Sequence, residues 1–500
     1  MTKQPTRHLA FDLGASSGRA IVGWLDSERK LHLKEIHRFP NHPYEKDDRF
    51  YWDFKSLCAE LKTGLKKAFE FAPDISTFSV DTWGVDVVFF RDGKPVREPY
   101  CYRDPRFAAA MDDVHKIVSG RECYARTGIQ LLTFNTVYQL FADAQDHPED
   151  FCNDAKMLFM PDALLAMLTG DMTTEYTIAS TGALLDPHTR QWQHSLLKDL
   201  AIPAGILTEI VEPCTLSASV SGEISRELGI PQIPSVKCCS HDTASAVAAL
   251  PTPGPVGNAA YISLGTWALL GAEIMSPETS EAAYQAHYTN EGGIAGTLRF
   301  LTNITGTWLL QETRRTWNEE GDPITFNEMC DLAMATETDK RFDPNDPVFT
   351  APGNMPERIS KACGGFASRG ELLRCVYESL AECFRDKLRG LEALRGTKYD
   401  KLHILGGGTK DEFLMQLTAD KIGIPVYAGP VEATAIGNLL GQLLASGEAE
   451  SLEECRRITA DTFDIKIYFS MTLQFLKQLR HQHRIFPTGN TNRNLISILN

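Results

Sequence analysis

The chain has 500 residues, of which 43% are hydrophobic and 23% are charged, and its formal net charge is −15. This length exceeds what one hydrophobic core normally supports, so we expect two large domains of ordinary globular composition. The acidic balance argues against a nucleic-acid-binding protein, whose binding face would be basic.

The sequence contains no recognisable targeting or membrane segment. The first apolar run, Leu9–Leu13, is too short for the core of a signal peptide, and no run approaches the roughly 18 apolar residues of a membrane helix. The 12 cysteines include no C-x-x-C pair, which disfavours a zinc site or a redox pair. We therefore expect a cytoplasmic protein with reduced thiols and no membrane partner.

A turn of small and hydroxyl residues lies between two strand-like runs near the start of the chain, His8–Leu13 and Arg19–Leu25. A hairpin of this kind leaves main-chain N–H groups and hydroxyl groups uncovered, and such groups bind phosphate well. Asp12 stands where the first run ends. Its carboxylate is suited to hold Mg²⁺ beside a phosphate, directly or through water, and a turn residue that accepts from local amides is the alternative.

Further strand and helix signals follow in the first half. Phe78–Asp81 and Val85–Phe90 form a second candidate pair of strands, and Asp92-Gly93 is a tight-turn signal after them. Apolar residues at helical spacing predict a helix over Asp162–Leu168, which Gly170 ends.

Asp242 follows the strand-like run Ser235–Cys239 and precedes the small-residue run Ala244–Leu250, a predicted helix start. A carboxylate at such a joint is suited to accept the proton of a hydroxyl group during phosphoryl transfer. The competing interpretation is a helix N-cap, and the local sequence leaves both open.

Prolines and glycines are concentrated in Leu250–Gly257, where neither a helix nor a strand continues easily. This segment predicts a domain boundary. We expect a first domain over residues 1–250, a second over 258–465, and a tail over 466–500.

The second half opens as the first half does, with the strand-like runs Ala259–Leu264 and Trp267–Ile274 around a turn at Gly265. Apolar spacing then predicts a long helix over Leu373–Leu391, and a strand, the triple glycine Gly406–Gly408, a helix and another strand follow. Neither G-x-x-x-x-G-K-[ST] nor G-x-G-x-x-G occurs, so a phosphate site in this chain must be built from hairpin turns.

Several ordered segments together resemble the FGGY carbohydrate kinases, from about Leu9 to about Leu444. The segments that carry the resemblance are Asp12–Arg19, Asp81–Asp86, Tyr102–Asp104, Phe134–Leu140, His241–Ser245, Asn290–Gly293, Gly406–Gly408 and Gly429–Ala433. Each motif is short, and their order along the chain makes the set specific.

The resemblance implies an α/β fold with two actin-like, ribonuclease-H-like domains that hold ATP and sugar in an interdomain cleft. It implies an ATP-dependent transfer of the γ-phosphoryl group to O1 of L-rhamnulose, in rhamnose catabolism. Three alternatives stay open: a kinase for another ketose such as L-fuculose or xylulose, a non-catalytic ATP or sugar sensor, and an actin-like filament protein.

The resemblance also implies roles for single residues. Asp242 matches the family's proton acceptor. The residues that match ATP contacts are Ala15, Ser16, Ser17, Gly18, Arg19, Thr266, Gln311 and Gly407. The residues that match sugar contacts are Gly84, His241, Asp242, Thr243 and Asn303. The tail departs from the family's pattern after about Ile465, and no contact is assigned to it.

Overall fold

A computed structural model of the chain describes residues 6–152, 154–252 and 259–471. The chain divides into two compact units. Unit 1 comprises Met1–Gly257, Glu273–Leu301 and Glu432–Phe463, and unit 2 comprises Asn258–Ala272, Thr302–Val431 and Asp464–Asn500. Part of the predicted boundary segment and most of the predicted tail lie outside the described residues, so the three-part domain division stays a prediction.

Within the described ranges the strands are numbered in chain order. They are β1 Arg7–Leu13, β2 Ser17–Leu25, β3 Leu31–Pro40, β4 Tyr44–Lys46, β5 Arg49–Tyr51, β6 Ile75–Thr82, β7 Val87–Arg91, β8 Lys94–Pro95, β9 Lys156–Phe159, β10 Thr174–Glu175, β11 Ile210–Val211, β12 Thr215–Ser219, β13 Pro234–Lys237, β14 Ala259–Leu264, β15 Trp267–Ile274, β16 Thr289–Gly292, β17 Leu298–Thr305, β18 Lys401–Leu405, β19 Val426–Ala428 and β20 Lys466–Tyr468.

The α-helices of the same ranges are numbered likewise. They are α1 Phe54–Phe71, α2 Arg106–Ile117, α3 Gly120–Thr127, α4 Thr136–Asp146, α5 Met160–Thr169, α6 Tyr176–Ala179, α7 His194–Asp199, α8 Gly222–Leu228, α9 Asp242–Ala248, α10 Glu281–Gln285, α11 Trp308–Glu319, α12 Phe326–Met334, α13 Met355–Ala362, α14 Arg369–Arg395, α15 Glu412–Ile422, α16 Ala433–Ala445 and α17 Leu452–Thr462.

The described part of unit 1 contains a six-stranded sheet with the order β12-β13-β6-β1-β2-β3. β1 is antiparallel to β2 and parallel to β6, and β6 is parallel to β13. Alternate residues of β1, Leu9 and Phe11 among them, share a buried core with Leu57, Leu61 and Leu65 of α1. That spacing of four places the three leucines on one face of the helix. The parallel alignment brings the carboxyl ends of β1, β6 and β13 to one edge of the sheet.

The hairpin predicted near the start of the chain is confirmed. β1 and β2 pair in register, with Leu13 opposite Gly18, and the Gly14 amide donates to the Ser17 carbonyl oxygen at 2.9 Å. A Cβ at Gly18 would lie 2.2 Å from Cζ of Phe39, so any larger residue there would displace the buried Phe39 ring. The predicted helix over Asp162–Leu168 is likewise present within α5.

The predicted pairing of the next two strand-like runs is wrong, although both runs are strands. β6 lies between β13 and β1 in the six-stranded sheet, whereas β7 pairs with β8 and β9 in a separate three-stranded sheet. The chain turns between them through Val85, whose φ is +70°. Alternation of apolar residues identifies a strand, but it does not specify which distant strand becomes its partner.

In the main sheet of unit 2, the strands β15, β14, β18, β19 and β20 are consecutive neighbours in that order. β14 and β15 occupy the predicted ranges and form the predicted glycine hairpin, in which the Gly265 amide donates to the Trp267 carbonyl oxygen at 2.8 Å. β18 is parallel to β14, so the triple glycine after β18 lies beside that hairpin. The predicted long helix is present as α14, which Ser368 caps and Gly396 ends with a φ of 59°.

Among residues 6–152, 154–252 and 259–471, every helix is too short or too polar to cross a lipid bilayer. All 12 cysteines are free thiols.

Candidate active site

The sheet of unit 1 gathers candidate residues at the carboxyl edge of its parallel strands. Asp12 of β1 stands opposite Asp81 of β6 in the register. The chain after β13 continues alongside β6, because the Thr82 amide donates to the Ser240 carbonyl oxygen at 2.9 Å and Thr82 forms a bridge with His241. Asp12, Asp81 and the segment that carries Asp242 are therefore neighbours at one edge.

Two carboxyl groups of this edge, Asp12 and Asp81, have raised pKa values. Burial raises the pKa of Asp12, and the negative charge of Asp242 raises it further. Burial and the charge of Asp12 hold the pKa of Asp81 well above its ordinary value, although Asn438 donates to its Oδ2 at 2.6 Å. A concentration of negative charge at a buried edge favours the binding of a cation.

Arg19 of β2 is paired with two carboxylates of unit 1. Its guanidinium donates to Asp12 and to Glu432. Burial alone would lower the pKa of Arg19, but the two carboxylates raise it. Arg19 therefore carries a positive charge beside the turn predicted to bind phosphate.

Asp242 is the first residue of α9, and its side chain is 31% exposed. Its Oδ1 accepts from the amide of Thr243 at 2.5 Å and from the Thr243 hydroxyl at 3.1 Å, and His241 Nε2 lies 3.4 Å from the same oxygen. These contacts orient the carboxylate through one oxygen only. A partly exposed carboxylate held in this way is suited to accept a proton from a ligand hydroxyl.

Glu175 supports the loop that carries the candidate base. It is fully buried, and its Oε2 accepts from the Thr177 hydroxyl at 2.6 Å and from the amide of Ser240 at 3.1 Å. Burial raises the pKa of Glu175 to about 7. The side chain therefore ties α6 to the residue that precedes His241.

Gly84 and Val85 form a constrained turn at the end of β6. A Cβ on Gly84 would lie 3.2 Å from three side-chain atoms of Thr181, whose hydroxyl accepts from the Val85 amide at 3.1 Å. Val85 has a φ of +70°, which is uncommon for a β-branched residue. Strained backbone of this kind is concentrated at functional sites, and here it is held by Thr136, which donates to the Val85 carbonyl oxygen at 2.6 Å.

Asp86 lies just after this turn and is fully buried. Its Oδ2 accepts from the indole nitrogens of Trp52 at 2.6 Å and Trp83 at 2.9 Å, and its Oδ1 accepts from Gln139 at 3.1 Å. Burial raises the pKa of Asp86 to about 6. These hydrogen bonds fix the wall of aromatic side chains beside Gly84.

In unit 2 the structure brings together Thr266, Gln311 and the turn that contains Gly407. The Thr266 hydroxyl donates to Oε1 of Gln311 at 3.3 Å. Gly406 and Gly408 flank Gly407 and pack so closely on the β14–β15 hairpin that a Cβ at Gly408 would lie 2.4 Å from Leu264 Cγ. Gly407 itself has open space above it, so its main chain is accessible to a ligand.

The other predicted residues are distributed between the two units. Ala15 and Ser16 lie in the turn of the first hairpin, Ser17 is the first residue of β2, and Thr243 lies in α9, all in unit 1. Asn303 lies on β17 and belongs to unit 2.

The residues present fit a magnesium ion. Asp12 and Asp81 are buried carboxyl groups, and Oδ1 of Asp81 has no hydrogen-bond partner among the described residues. In the part of the chain that the structure describes, no group of three or more His, Cys, Asp and Glu side chains is arranged to ligate a metal directly. Mg²⁺ commonly uses one or two carboxylates and retains several waters, so such a group is not required.

The sequence analysis missed three charged residues around the candidate base, namely Glu175, Glu291 and Arg299. Glu291 lies within the segment Asn290–Gly293, which had been noted without any assigned role. No local pattern marks Glu175 or Arg299, because each reaches the site from an element distant in the sequence.

Comparison with protein families matches residues 8–249 to the N-terminal domain, and residues 260–446 to the C-terminal domain, of the FGGY family of carbohydrate kinases. A rhamnulokinase of Bacteroides thetaiotaomicron is 39% identical over 467 residues, which cover 92% of this chain and 95% of that protein. A rhamnulokinase of Halalkalibacterium halodurans is 38% identical and covers 92% of this chain and 98% of its own length.

Solved structures of similar fold include a ligand-bound xylulose kinase of Lactobacillus acidophilus. Its TM-score is 0.78 at 17% sequence identity, and the match covers 95% of this chain and 98% of that one. A glycerol kinase of Plasmodium falciparum with ADP gives a TM-score of 0.75, also at 17% identity, with coverage of 97% and 99%. The predicted α/β fold with two actin-like domains is thereby confirmed.

Proposed function

Because this chain belongs to the FGGY family of carbohydrate kinases, we propose that it transfers the γ-phosphoryl group of ATP to O1 of L-rhamnulose. The choice of sugar rests on the similarity of this chain to rhamnulokinases. The two relatives described above are 38–39% identical to it along nearly its whole length. Similarity of fold to xylulose and glycerol kinases, at 17% identity, supports the architecture alone.

The proposed proton acceptor is Asp242. As the bond from O1 to phosphorus forms and the bond from the γ-phosphorus to ADP breaks, the proton of the sugar hydroxyl passes to the carboxylate. The oxygen of Asp242 that Thr243 does not hold is the one available for this step. A positioned base of this kind contributes about 10²–10⁴-fold to the rate.

The proposed phosphate contacts come from the two glycine hairpins. Ala15–Arg19 supply main-chain amides, hydroxyls and one guanidinium, and Thr266 supplies a second hydroxyl. Hydrogen-bond donors that the hairpins already hold in place stabilise negative charge on phosphate oxygens without having to reorganise during the reaction. In phosphoryl transfer, most of the rate enhancement comes from positioning of the reactants and from stabilisation of charge.

Asp12 is the residue that we propose holds Mg²⁺, directly or through a water. Mg²⁺ bound there would neutralise charge on the phosphates of ATP. The buried position of Asp12, its charged neighbours and the unpartnered oxygen of Asp81 support this role.

The decisive experiment compares ATP consumption by the purified protein with L-rhamnulose, L-fuculose, xylulose and glycerol. We expect the highest kcat/KM with L-rhamnulose and a phosphorus NMR signal of the product that couples to the C1 protons. A preference of tenfold or more for another sugar would replace the substrate but keep the kinase. ATP consumption that no sugar stimulates would favour a sensor instead.

A further inference from the structure

We propose that Arg299 is a positioning residue that fixes the His241 side chain as the neutral Nε2–H tautomer. His241 then presents an N–H donor, and not a second proton acceptor, toward Asp242. The effect on catalysis rests on the function proposed above, whereas the tautomer is a property of the protein without substrate.

Arg299 is held firmly before it reaches His241. It lies on β17, directly opposite Glu291 of β16 in the antiparallel register, and its side chain is 1% exposed. Its Nε donates to the Gly292 carbonyl oxygen at 2.8 Å, and its Nη2 lies 3.0 Å from Oε2 of Glu291. A planar guanidinium anchored through Nε has little freedom to turn its remaining nitrogens.

The contact with His241 is a hydrogen bond from Arg299. Nη2 of Arg299 lies 3.0 Å from Nδ1 of His241. A guanidinium has donors and no acceptor, so this bond forms only if Nδ1 carries a lone pair. In a neutral imidazole the proton must then reside on Nε2.

Glu291 offers the rival arrangement, in which Nδ1–H donates to a carboxylate and Nε2 is left as an acceptor. The distance from Nδ1 to Oε2 of Glu291 is 3.4 Å, which is longer than the 3.0 Å to Arg299. Oε2 also receives no hydrogen bond of acceptable geometry from the described residues. Since hydrogen bonds weaken with distance and misalignment, the geometry favours the bond from Arg299.

The consequence lies on the other side of the ring. Nε2 of His241 is 3.4 Å from Oδ1 of Asp242, so the Nε2–H tautomer points a donor toward the candidate base. With Nδ1 occupied and Nε2 protonated, His241 has no free lone pair to accept a proton. Asp242 is then the only one of this pair that acts as the base.

The test reads the tautomer directly by ¹⁵N NMR of histidine-labelled full-length protein without substrate, and the loss of one signal in His241→Gln provides the assignment. We expect the wild type to show an unprotonated Nδ1 and a protonated Nε2. Arg299→Met should shift the ring toward the Nδ1–H tautomer, and Glu291→Gln, the matched control, should leave it unchanged.

The kinetic readout separates positioning from binding. We expect Arg299→Met to lower kcat with L-rhamnulose by about 100-fold, because a displacement of a catalytic group by about 1 Å can reduce the rate by that factor. The KM for ATP should change little. An Nδ1–H signal in the wild type, or a tautomer that changes in Glu291→Gln and not in Arg299→Met, would overturn the proposal even if the protein phosphorylates L-rhamnulose. If Arg299→Met does not fold, the wild-type and Glu291→Gln spectra still decide.

Discussion

The carboxylate of Asp242 combines partial exposure with orientation through a single oxygen, and this combination distinguishes it from the buried carboxylates around it. Both interpretations left open by the local sequence, a base and a helix cap, placed it where a strand gives way to a helix. In the structure the N-cap residue of α9 is His241, and Asp242 is the first helical residue.

The Asp242→Asn variant tests the base without changing the size of the side chain. We expect turnover to fall by about 10²–10⁴-fold, because an amide cannot accept the proton, while ATP affinity measured by calorimetry stays nearly normal. Asp113→Asn, at a half-exposed position on α2, serves as the control and should keep wild-type turnover. Near-normal turnover in Asp242→Asn would exclude this residue as the base.

The buried side chain of Glu175, which supports the loop before His241, makes the stability of the protein depend on pH. Its pKa is about 7 in the folded protein against an ordinary value of 4.5. Its contribution to stability is therefore fully present below pH 4.5 and is lost as the pH rises through about 7. Relative to Glu175→Gln, which does not titrate, we expect the wild type to lose on the order of 3 kcal/mol of unfolding free energy across that range.

Urea unfolding of both proteins at several pH values measures this difference. Glu70→Gln, on the exposed side of α1, is the matched control and should run parallel to the wild type at every pH. A difference between wild type and Glu175→Gln that stays constant with pH would contradict the raised pKa.

At the scale of elements, α16 and α9 approach so closely that only glycine fits at one point between them. A Cβ on Gly437 would lie 1.7 Å from the carbonyl oxygen of Ser245, which belongs to the backbone of α9. Gly441 lies one turn further along α16, and a Cβ there would meet only contacts of 3.3 Å or more. Because α9 begins at Asp242, this contact sets the position of the candidate base.

We expect Gly437→Ala to lower the unfolding free energy by about 2 kcal/mol or more, because overpacking costs about 1–3 kcal/mol and backbone atoms yield poorly. Alanine in a helix would otherwise gain about 1 kcal/mol over glycine. Gly441→Ala, on the same helix, should change stability by less than about 1 kcal/mol. Denaturant titrations measure the unfolding free energies of the two variants. Equal unfolding free energies of Gly437→Ala and Gly441→Ala would contradict the prediction, because they would mean that α16 moves away from α9 at little cost.

Local sequence patterns predicted well those elements that depend only on residues close together in the sequence. The strands β14 and β15 occupy the expected ranges, and the glycine hairpins and the helix end at Gly170 are present. The predicted pairing of β6 with β7 was wrong. One of the strands that β7 pairs with instead is β9, which lies far away in the sequence, and no turn signal joins the two.

At the scale of the whole molecule, unit 1 is assembled from segments distant in the sequence. α16 returns to it after most of unit 2 has been formed. Asn438 of α16 donates to the buried Asp81, and Gln442 accepts from Thr77 at 2.6 Å and donates to the Leu9 carbonyl oxygen at 3.1 Å. Without this helix, buried polar groups of the central strands lose their partners.

We therefore expect a fragment of residues 1–257 to be insoluble or to unfold without a cooperative transition, since an unpaired buried polar group costs about 1–3 kcal/mol. The control fragment joins residues 1–301 to 432–463 through a glycine–serine linker and restores α16 and α17. Circular dichroism during heating measures both fragments. Cooperative unfolding of 1–257 alone would contradict an essential role for α16.

The sequence by itself determined the family, the two-domain α/β class and the glycine hairpins, because short ordered motifs and local periodicity carry that information. It also predicted Asp242 as the base. Only the tertiary structure decided that Glu175 holds the loop before His241, through a contact with Ser240, which is 65 positions away in the sequence. Only the tertiary structure likewise decided that Arg299 contacts His241, which is 58 positions away. Contacts at such separations depend on which strands and helices pack together. Apolar periodicity marks the buried face of an element, but it does not specify the element that packs against that face.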